Sequence, residues 1–168
     1  MKFKGIIAAL ALAGLMISCG GEEKKTEKES VKIGSKKTTK KDDGKSVNLA
    51  LAGNDQMKYD KSELKVKAGQ EVTLTLRHTG KIGKKIMGHN FVLLKPGTSI
   101  PEFSAAAAAT GEAGDWIANE DQIIAHTKMI GGGQSTTVTF TAPEAGTYDF
   151  ICSFPGHSGL MKGKFIVE

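Results

Sequence analysis

The sequence is poor in cysteine, in histidine and in long apolar stretches. Its 168 residues include two cysteines and four histidines. Two cysteines permit a single disulfide at most, so a disulfide-dense scaffold is excluded. The apolar run Gly5 to Ile17 is 13 residues long, too short to cross a bilayer comfortably, for which about 20 residues are needed. Net charge is also missing where the chain has folding potential. From Val47 to Glu168 twelve basic residues face twelve acidic ones. The formal +5 lies upstream, in Lys2, Lys4 and a segment from Gly20 to Ser46 with nine lysines and six acidic residues. A nucleic-acid role therefore has no support. That upstream segment contains no aromatic residue and two large apolar ones, Val31 and Ile33. It cannot bury enough surface to offset the entropy of ordering, and it reads as a disordered, charged tether.

The first 18 residues combine a basic start, the apolar run and a small residue, Ser18, before Cys19. This is the pattern of an export signal. Met16-Ile17-Ser18-Cys19 also resembles the lipobox of bacterial lipoproteins, which implies lipidation of Cys19 and a membrane-anchored protein of the periplasm or cell envelope. Ordinary secretion with cleavage near Cys19 is the other reading. The expected organisation is a signal peptide over 1–18, a lipidated Cys19 with its tether over 19–46, and a folded domain over 47–168. Lipidation would leave Cys152 as the lone thiol of that domain. In an oxidising compartment a lone thiol is a hazard unless a metal occupies it.

Within 47–168 the hydrophobic pattern has mostly period two. Glu71-Val-Thr-Leu-Thr-Leu-Arg77 and Thr136-Thr-Val-Thr-Phe-Thr141 alternate cleanly. Further strands are predicted at Val47–Ala52, Glu63–Lys67, Asn90–Lys95, Gln122–Lys128, Thr147–Cys152 and Lys162–Val167. Turn signals at Ala68-Gly69, Thr79-Gly80, Gly131 to Gly133, Pro143 and Gly146 separate them. About eight short strands at this spacing predict an all-β, Greek-key β-sandwich. Pro101 to Ala113, with five consecutive alanines from Ala105 to Ala109, predicts a short helical flap between two strands. Trp116 is expected to pack that flap against the sandwich rather than to serve chemistry.

Four side chains carry the chemistry. Cys152-Ser-Phe-Pro-Gly-His157-Ser-Gly-Leu-Met161 supplies a thiolate, an imidazole and a thioether within ten residues. Met87-Gly88-His89-Asn90 supplies the second imidazole. Two imidazoles and a thiolate in a trigonal arrangement, with a weak axial Met, are the donor set of a blue-copper electron-transfer site. Taken singly, a buried Cys at a strand end or a core Met would be unremarkable. Together, across a turn joining two final strands, they point to one copper ion shuttling between Cu(I) and Cu(II).

The loop from Cys152 to Met161, followed by Lys162-Gly163, resembles the copper loop of the azurins, members of the cupredoxin family. The four residues between Cys152 and His157 distinguish it from plastocyanin and pseudoazurin, which place two there. The resemblance extends through Gly53 to Tyr59, Met87 to Leu93 and Ile124 to Ile130, covering most of 47–168. It implies equatorial ligands His89, Cys152 and His157, an axial Met161 and a long contact to the Gly88 carbonyl. It further implies that Asn90 and Phe154 support the site through amide hydrogen bonds to the sulfur, and that Asn90 ties the two copper loops together. His126 matches a surface histidine of the family, read as exposed and satisfied. His78 matches a position beside the site whose titration would couple to redox state. The family's disulfide is absent, its positions falling near Val47 and Gly69, and its core Trp is replaced by Phe91. Auracyanin-like membrane-anchored carriers share the pattern, and the residues do not separate the two.

The resemblance implies an electron carrier that is not an enzyme, a monomer working with redox proteins such as c-type cytochromes or a terminal reductase or oxidase. Met57, Met87, Pro155 and Leu160 would form an apolar docking rim around His157. A copper carrier or copper-resistance protein is the rival, because soft ligands also hold Cu(I). A copper enzyme with a second metal site would need further histidines, and two of the four are already committed.

Overall fold

The computed structural model describes residues 44–168. The expectations for the signal peptide, for Cys19 and for the tether as far as residue 43 lie outside the described residues. Nine strands form two sheets among the described residues. They are β1 (Ser46–Asn54), β2 (Lys58–Tyr59), β3 (Glu63–Val66), β4 (Glu71–His78), β5 (Val92–Leu94), β6 (Ile123–His126), β7 (Ser135–Thr141), β8 (Gly146–Ile151) and β9 (Lys162–Val167). One sheet has the order β2-β1-β4-β7 and the other β3-β9-β8-β5-β6. Pairing is antiparallel except for β1 with β4 and β3 with β9. The described residues thus form a Greek-key β-sandwich of nine strands, where the sequence predicts about eight.

Alternation explains the packing. In β4 the side chains of Val72, Leu74 and Leu76 point inward and are fully buried, each contributing roughly 1.5–3 kcal/mol over exposure to water. They meet Leu51, Leu64, Phe91, Leu93, Phe150, Phe165 and Val167 between the sheets. The intervening threonines face outward, where Thr73 and Thr75 meet Thr139 and Thr137 of β7 at 3.3 and 3.1 Å. Such cross-strand hydroxyl pairs stabilise a solvated sheet face. Phe91 fills the central core as the sequence predicts.

Strand β5 does not alternate: Val92, Leu93 and Leu94 are all buried. Its outer face is covered by α2 (Ile100–Thr110), the predicted flap. Phe103 and Ala107, one helical turn apart, pack there against Val92, Leu94, Ile123 and Ile151. Pro101 lies in the first turn, where its missing N–H costs nothing.

Two elements depart from the sequence reading. A two-residue strand, β2, pairs antiparallel with the end of β1, Gly53 opposite Tyr59 and Asn54 opposite Lys58. A four-residue helix, α1 (Lys84–Met87), precedes the first predicted copper loop. Trp116 packs with Met129, Cys152, Phe154 and Met161, and its backbone N–H donates to the carbonyl of Gly111 at the end of the flap at 3.0 Å. The left-handed backbone at Asp115 and Trp116, φ 51° and 54°, turns the indole that way. The Asp115 carboxylate accepts the Met129 N–H at 2.9 Å and fixes the turn.

Candidate metal centre

Two loops at one end of the sandwich assemble the donor set. Cys152 follows β8 directly. The turn after it has Gly156 at φ 80° and the His157 N–H donating to the Phe154 carbonyl at 3.0 Å. Glycine adopts that left-handed angle without strain, which suits the third position of a type II turn. Met161 then donates its N–H to the His157 carbonyl at 2.7 Å, and its own carbonyl accepts the Cys152 N–H at 2.9 Å. The chain from Cys152 to Met161 is thereby closed into a short loop between β8 and β9.

His89 arrives from the other loop, its N–H and carbonyl bridged to Ile130 at 2.9 Å each. Its Nε2 donates to the Asn54 carbonyl at 2.8 Å. A carbonyl can only accept, so the proton is on Nε2 and the lone pair is on Nδ1. That Nδ1 lies 4.0 Å from Cys152 Sγ, and His157 Nδ1 lies 3.6 Å from the same sulfur. The Gly88 carbonyl is 3.7 Å from the sulfur. A donor atom from each of His89, Cys152 and His157 falls within 4.8 Å of the other two. All three residues are buried, His157 being 3 % exposed.

The spacing suits a metal ion. Bonds of about 2.0–2.3 Å from the centre of a triangle place its corners roughly 3.5–4 Å apart. The donor types fit as well, two neutral imidazoles and a thiol forming a soft, nitrogen-rich set. Burial lowers the pKa of His157 to about 4, with the nearby His89 contributing, and lowers that of His89 for the same leading reason. Burial pushes the Cys152 thiol up to about 11, against backbone N–H groups of Asn90 and Phe154 that donate to the sulfur. The protein therefore presents two free lone pairs and one proton that an incoming cation displaces.

Close packing shapes the surroundings. A Cβ added at Gly53 would lie 2.7 Å from His89 Cδ2 and 3.2 Å from the Met161 methyl, so His89 and Met161 meet across this glycine. At Gly88 a Cβ would lie 2.7 Å from the Lys84 carbonyl and 2.8 Å from the Phe154 ring. Met161 is fully buried in one apolar cluster with Cys152, Phe154, Trp116 and Met129. The rings of Phe154 and His157 are 4.7 Å apart and those of Trp116 and Phe154 5.2 Å.

Asn90 joins the two loops. Its Oδ1 accepts the Ser153 N–H at 2.9 Å and its Nδ2 donates to Ser153 Oγ at 2.8 Å. Ser153 Oγ in turn donates to the Trp116 carbonyl at 2.6 Å.

The other histidines take separate places. His78 is fully buried, accepting the Gly80 N–H at Nδ1 (3.0 Å) and donating from Nε2 to the Met87 carbonyl (2.8 Å). His126 sits on β6, half-buried rather than exposed, with Nδ1 3.3 Å from the Thr127 carbonyl. At the rim, Leu160 is 64 % exposed and Pro155 is exposed, while Met57 and Met87 are half-buried. Sequence reasoning missed Ile86 of α1, which is 71 % exposed. It also gave no role to Asn54, Tyr59 or Ser153, although Gly53 to Tyr59 stood among the motifs.

The profile of copper-binding proteins of the plastocyanin/azurin family matches residues 45–168. Azurin of Bordetella pertussis is 41 % identical over 121 residues, covering 69 % of this chain and 80 % of that protein. Auracyanin-A of Chloroflexus aurantiacus is 34 % identical over 166 residues, 97 % of this chain and 95 % of its own. The solved structure of auracyanin A, a blue copper protein of the same bacterium, superimposes with a TM-score of 0.66 at 35 % identity, covering 73 % of this chain and 99 % of that one.

Proposed function

The chain belongs to the plastocyanin/azurin family of copper-binding proteins, and on that premise we propose that it carries single electrons between redox proteins of the bacterial cell envelope. His89, Cys152 and His157 would hold one copper ion, with the Met161 thioether and the Gly88 carbonyl as weaker, longer contacts. The observation that carries this reading is the buried triangle of donors around the Cys152 sulfur, with edges of 3.6 and 4.0 Å to the two Nδ1 atoms. Bound copper would supply a one-electron couple between Cu(I) and Cu(II).

The chain's own residues do the rest. The Asn54 carbonyl fixes the tautomer and tilt of His89. Asn90 and Ser153 hold the two loops in one geometry. The amides of Asn90 and Phe154 take up part of the negative charge on the thiolate. A scaffold bonded this closely rearranges little between oxidation states, which suits outer-sphere transfer. Water is excluded because the three donors are buried.

Electrons would pass by way of His157, beneath a rim of Pro155, Leu160, Met57, Met87 and the newly found Ile86. Such an apolar rim suits weak, short-lived docking of a redox partner such as a c-type cytochrome. Burial of the donors favours electron transfer over copper delivery, which calls for exposed, easily vacated ligands. A second catalytic metal is disfavoured because both nitrogens of His78 are spent on backbone groups. Lipidation at Cys19 would anchor the protein in the envelope. Radiolabelled palmitate incorporated by the full-length chain but not by Cys19→Ala would support the anchor.

The deciding experiment is the visible spectrum of the protein loaded with one equivalent of Cu(II). An intense blue band that bleaches with reductant and is missing from Cys152→Ser is the expected result. A colourless protein that takes up only Cu(I) would overturn the reading in favour of a copper carrier.

A further inference from the structure

Every hydrogen-bonding group of Asn90 has a partner. Its N–H donates to the Cys152 sulfur, and its side-chain amide is spent on Ser153 at 2.8 and 2.9 Å. Its carbonyl accepts the hydroxyl of Tyr59. The N–H on the far side of that same peptide, from Phe91, donates to Thr127 Oγ1 at 3.0 Å. Asn90 is fully buried, so water cannot substitute for a lost partner. A buried peptide carbonyl left unpaired is costly.

Tyr59 is well placed to hold that carbonyl. It lies on β2, and its ring packs against Phe150 at 5.6 Å with the planes tilted by 55°. It contacts both the central core and the apolar cluster around Cys152. A phenol has two side-chain torsions, and this packing constrains both. The hairpin that carries it is set by Asn54, whose Oδ1 accepts the N–H groups of Gln56 and Lys58 at 3.0 and 3.3 Å. The same Asn54 offers its carbonyl to His89. One short hairpin thus grips two consecutive residues, 89 through a ring nitrogen and 90 through a carbonyl.

We infer that Tyr59 is a positioning residue of the metal site: its hydroxyl holds the carbonyl of the peptide after Asn90 while the Ile130 N–H holds the carbonyl of the peptide before it, and residue 90, pinned on both sides, keeps its N–H turned to the Cys152 sulfur. This rests on the copper–thiolate reading above. A donor aimed at the sulfur withdraws electron density from it, and a slack donor leaves the thiolate richer and favours the oxidised metal. The phenol hydroxyl would therefore set the redox potential without touching the metal.

Tyr59→Phe removes the hydroxyl and keeps the ring. Tyr148→Phe is the matched control, because Tyr148 also donates to a backbone carbonyl, that of Glu144 at 2.8 Å, without contacting the site loops. Two readouts are needed. In the metal-free protein, hydrogen exchange of the Asn90 amide is expected to quicken on the order of tenfold in Tyr59→Phe and to stay unchanged in Tyr148→Phe. In the copper-loaded full-length chain, the midpoint potential is expected to fall in Tyr59→Phe alone. A Tyr59→Phe protein that loses stability yet keeps both the potential and the Asn90 exchange rate would overturn the inference and leave Tyr59 as packing. A wild-type protein without a blue band would sink the copper–thiolate reading itself, while the exchange comparison still decides the hydrogen-bond role. If Tyr59→Phe does not fold, 3-fluorotyrosine incorporated into Tyr148→Phe supplies a stronger donor at position 59. It should then raise the potential, and an unmoved potential would overturn the inference.

Discussion

The rings of His78 and His89 stack almost parallel, with centroids 4.2 Å apart and planes inclined by 14°. One ring is a candidate metal ligand and the other is fixed by two backbone groups. The stack therefore bears on one face of the His89 ring, at right angles to the in-plane lone pair on Nδ1. Replacing His78 by Leu removes the stack and leaves the Gly80 N–H and the Met87 carbonyl without their partners. Two such losses at about 1–3 kcal/mol each should lower the free energy of unfolding by roughly 2–6 kcal/mol. Denaturant titration of the metal-free protein checks this.

The pKa shifts give the metal-free protein a stability plateau. The pKa of His157 falls to about 4 through burial and the nearness of His89. An unfolded chain protonates this group at about 6.5, so stability is present above that value and declines as pH falls towards 4. Burial raises the Cys152 thiol to about 11 from 9.0. The unfolded chain then loses its proton first, and stability declines as pH rises from 9 towards 11. Urea midpoints should be flat between these flanks and fall on both sides. A midpoint that rose above pH 9 would contradict the assignment.

Loading with copper should release close to one proton per ion at pH 7. Both imidazoles are already neutral there, and Cys152 is still a thiol. Titration in weak buffer with a pH electrode measures the stoichiometry. In Cys152→Ser the release should vanish.

Gly53→Ala introduces a methyl 2.7 Å from His89 Cδ2 and 3.2 Å from the Met161 methyl. Neither neighbour can retreat without moving a donor group. The variant should lose about 1–3 kcal/mol of stability through overpacking and show an altered copper absorption band. Gly159→Ala, with nothing within 4 Å of the added carbon, should leave the band as it is.

Ile86 and Leu160 are the large apolar side chains most exposed among the described residues, at 71 % and 64 %. Ile86→Lys and Leu160→Lys should slow electron exchange with a redox partner by tenfold or so and leave the midpoint potential unchanged. Stopped-flow kinetics against a c-type cytochrome separates the two quantities. Unchanged rates in both variants would remove the docking role.

Much of this was legible in the chain, for reasons that differ by element. Strands β4 and β7 alternate because one face meets the core and the other meets water, so the pattern survives in the sequence. The ligand residues were legible because Cys, His and Met are chemically particular and three of them crowd into one loop. Helix α1 was not. Lys84–Met87 has no side-chain cap, and the segment before it is held by the Asp55 carboxylate, which accepts the N–H groups of Lys81 and Ile82 at 2.8 and 3.2 Å. That hold is tertiary and leaves no local signature. The Asn54 carbonyl was equally invisible, since every residue has one and only the fold decides where it points. Which residues Trp116 packs against was not legible either, because its left-handed φ is uncommon for a bulky residue.

Strand β1 is a pointer with two unlike ends. Asn54 touches His89, while Ser46 lies eight residue steps back along an extended chain, about 26 Å away. The polypeptide therefore joins the domain at the pole remote from the donor side chains. A resin or electrode surface fixed at Ser46 itself therefore lies at the pole remote from the donors and leaves the electron-bearing pole uncovered. Attached in this way, the protein should exchange electrons with a soluble partner as readily as it does when free.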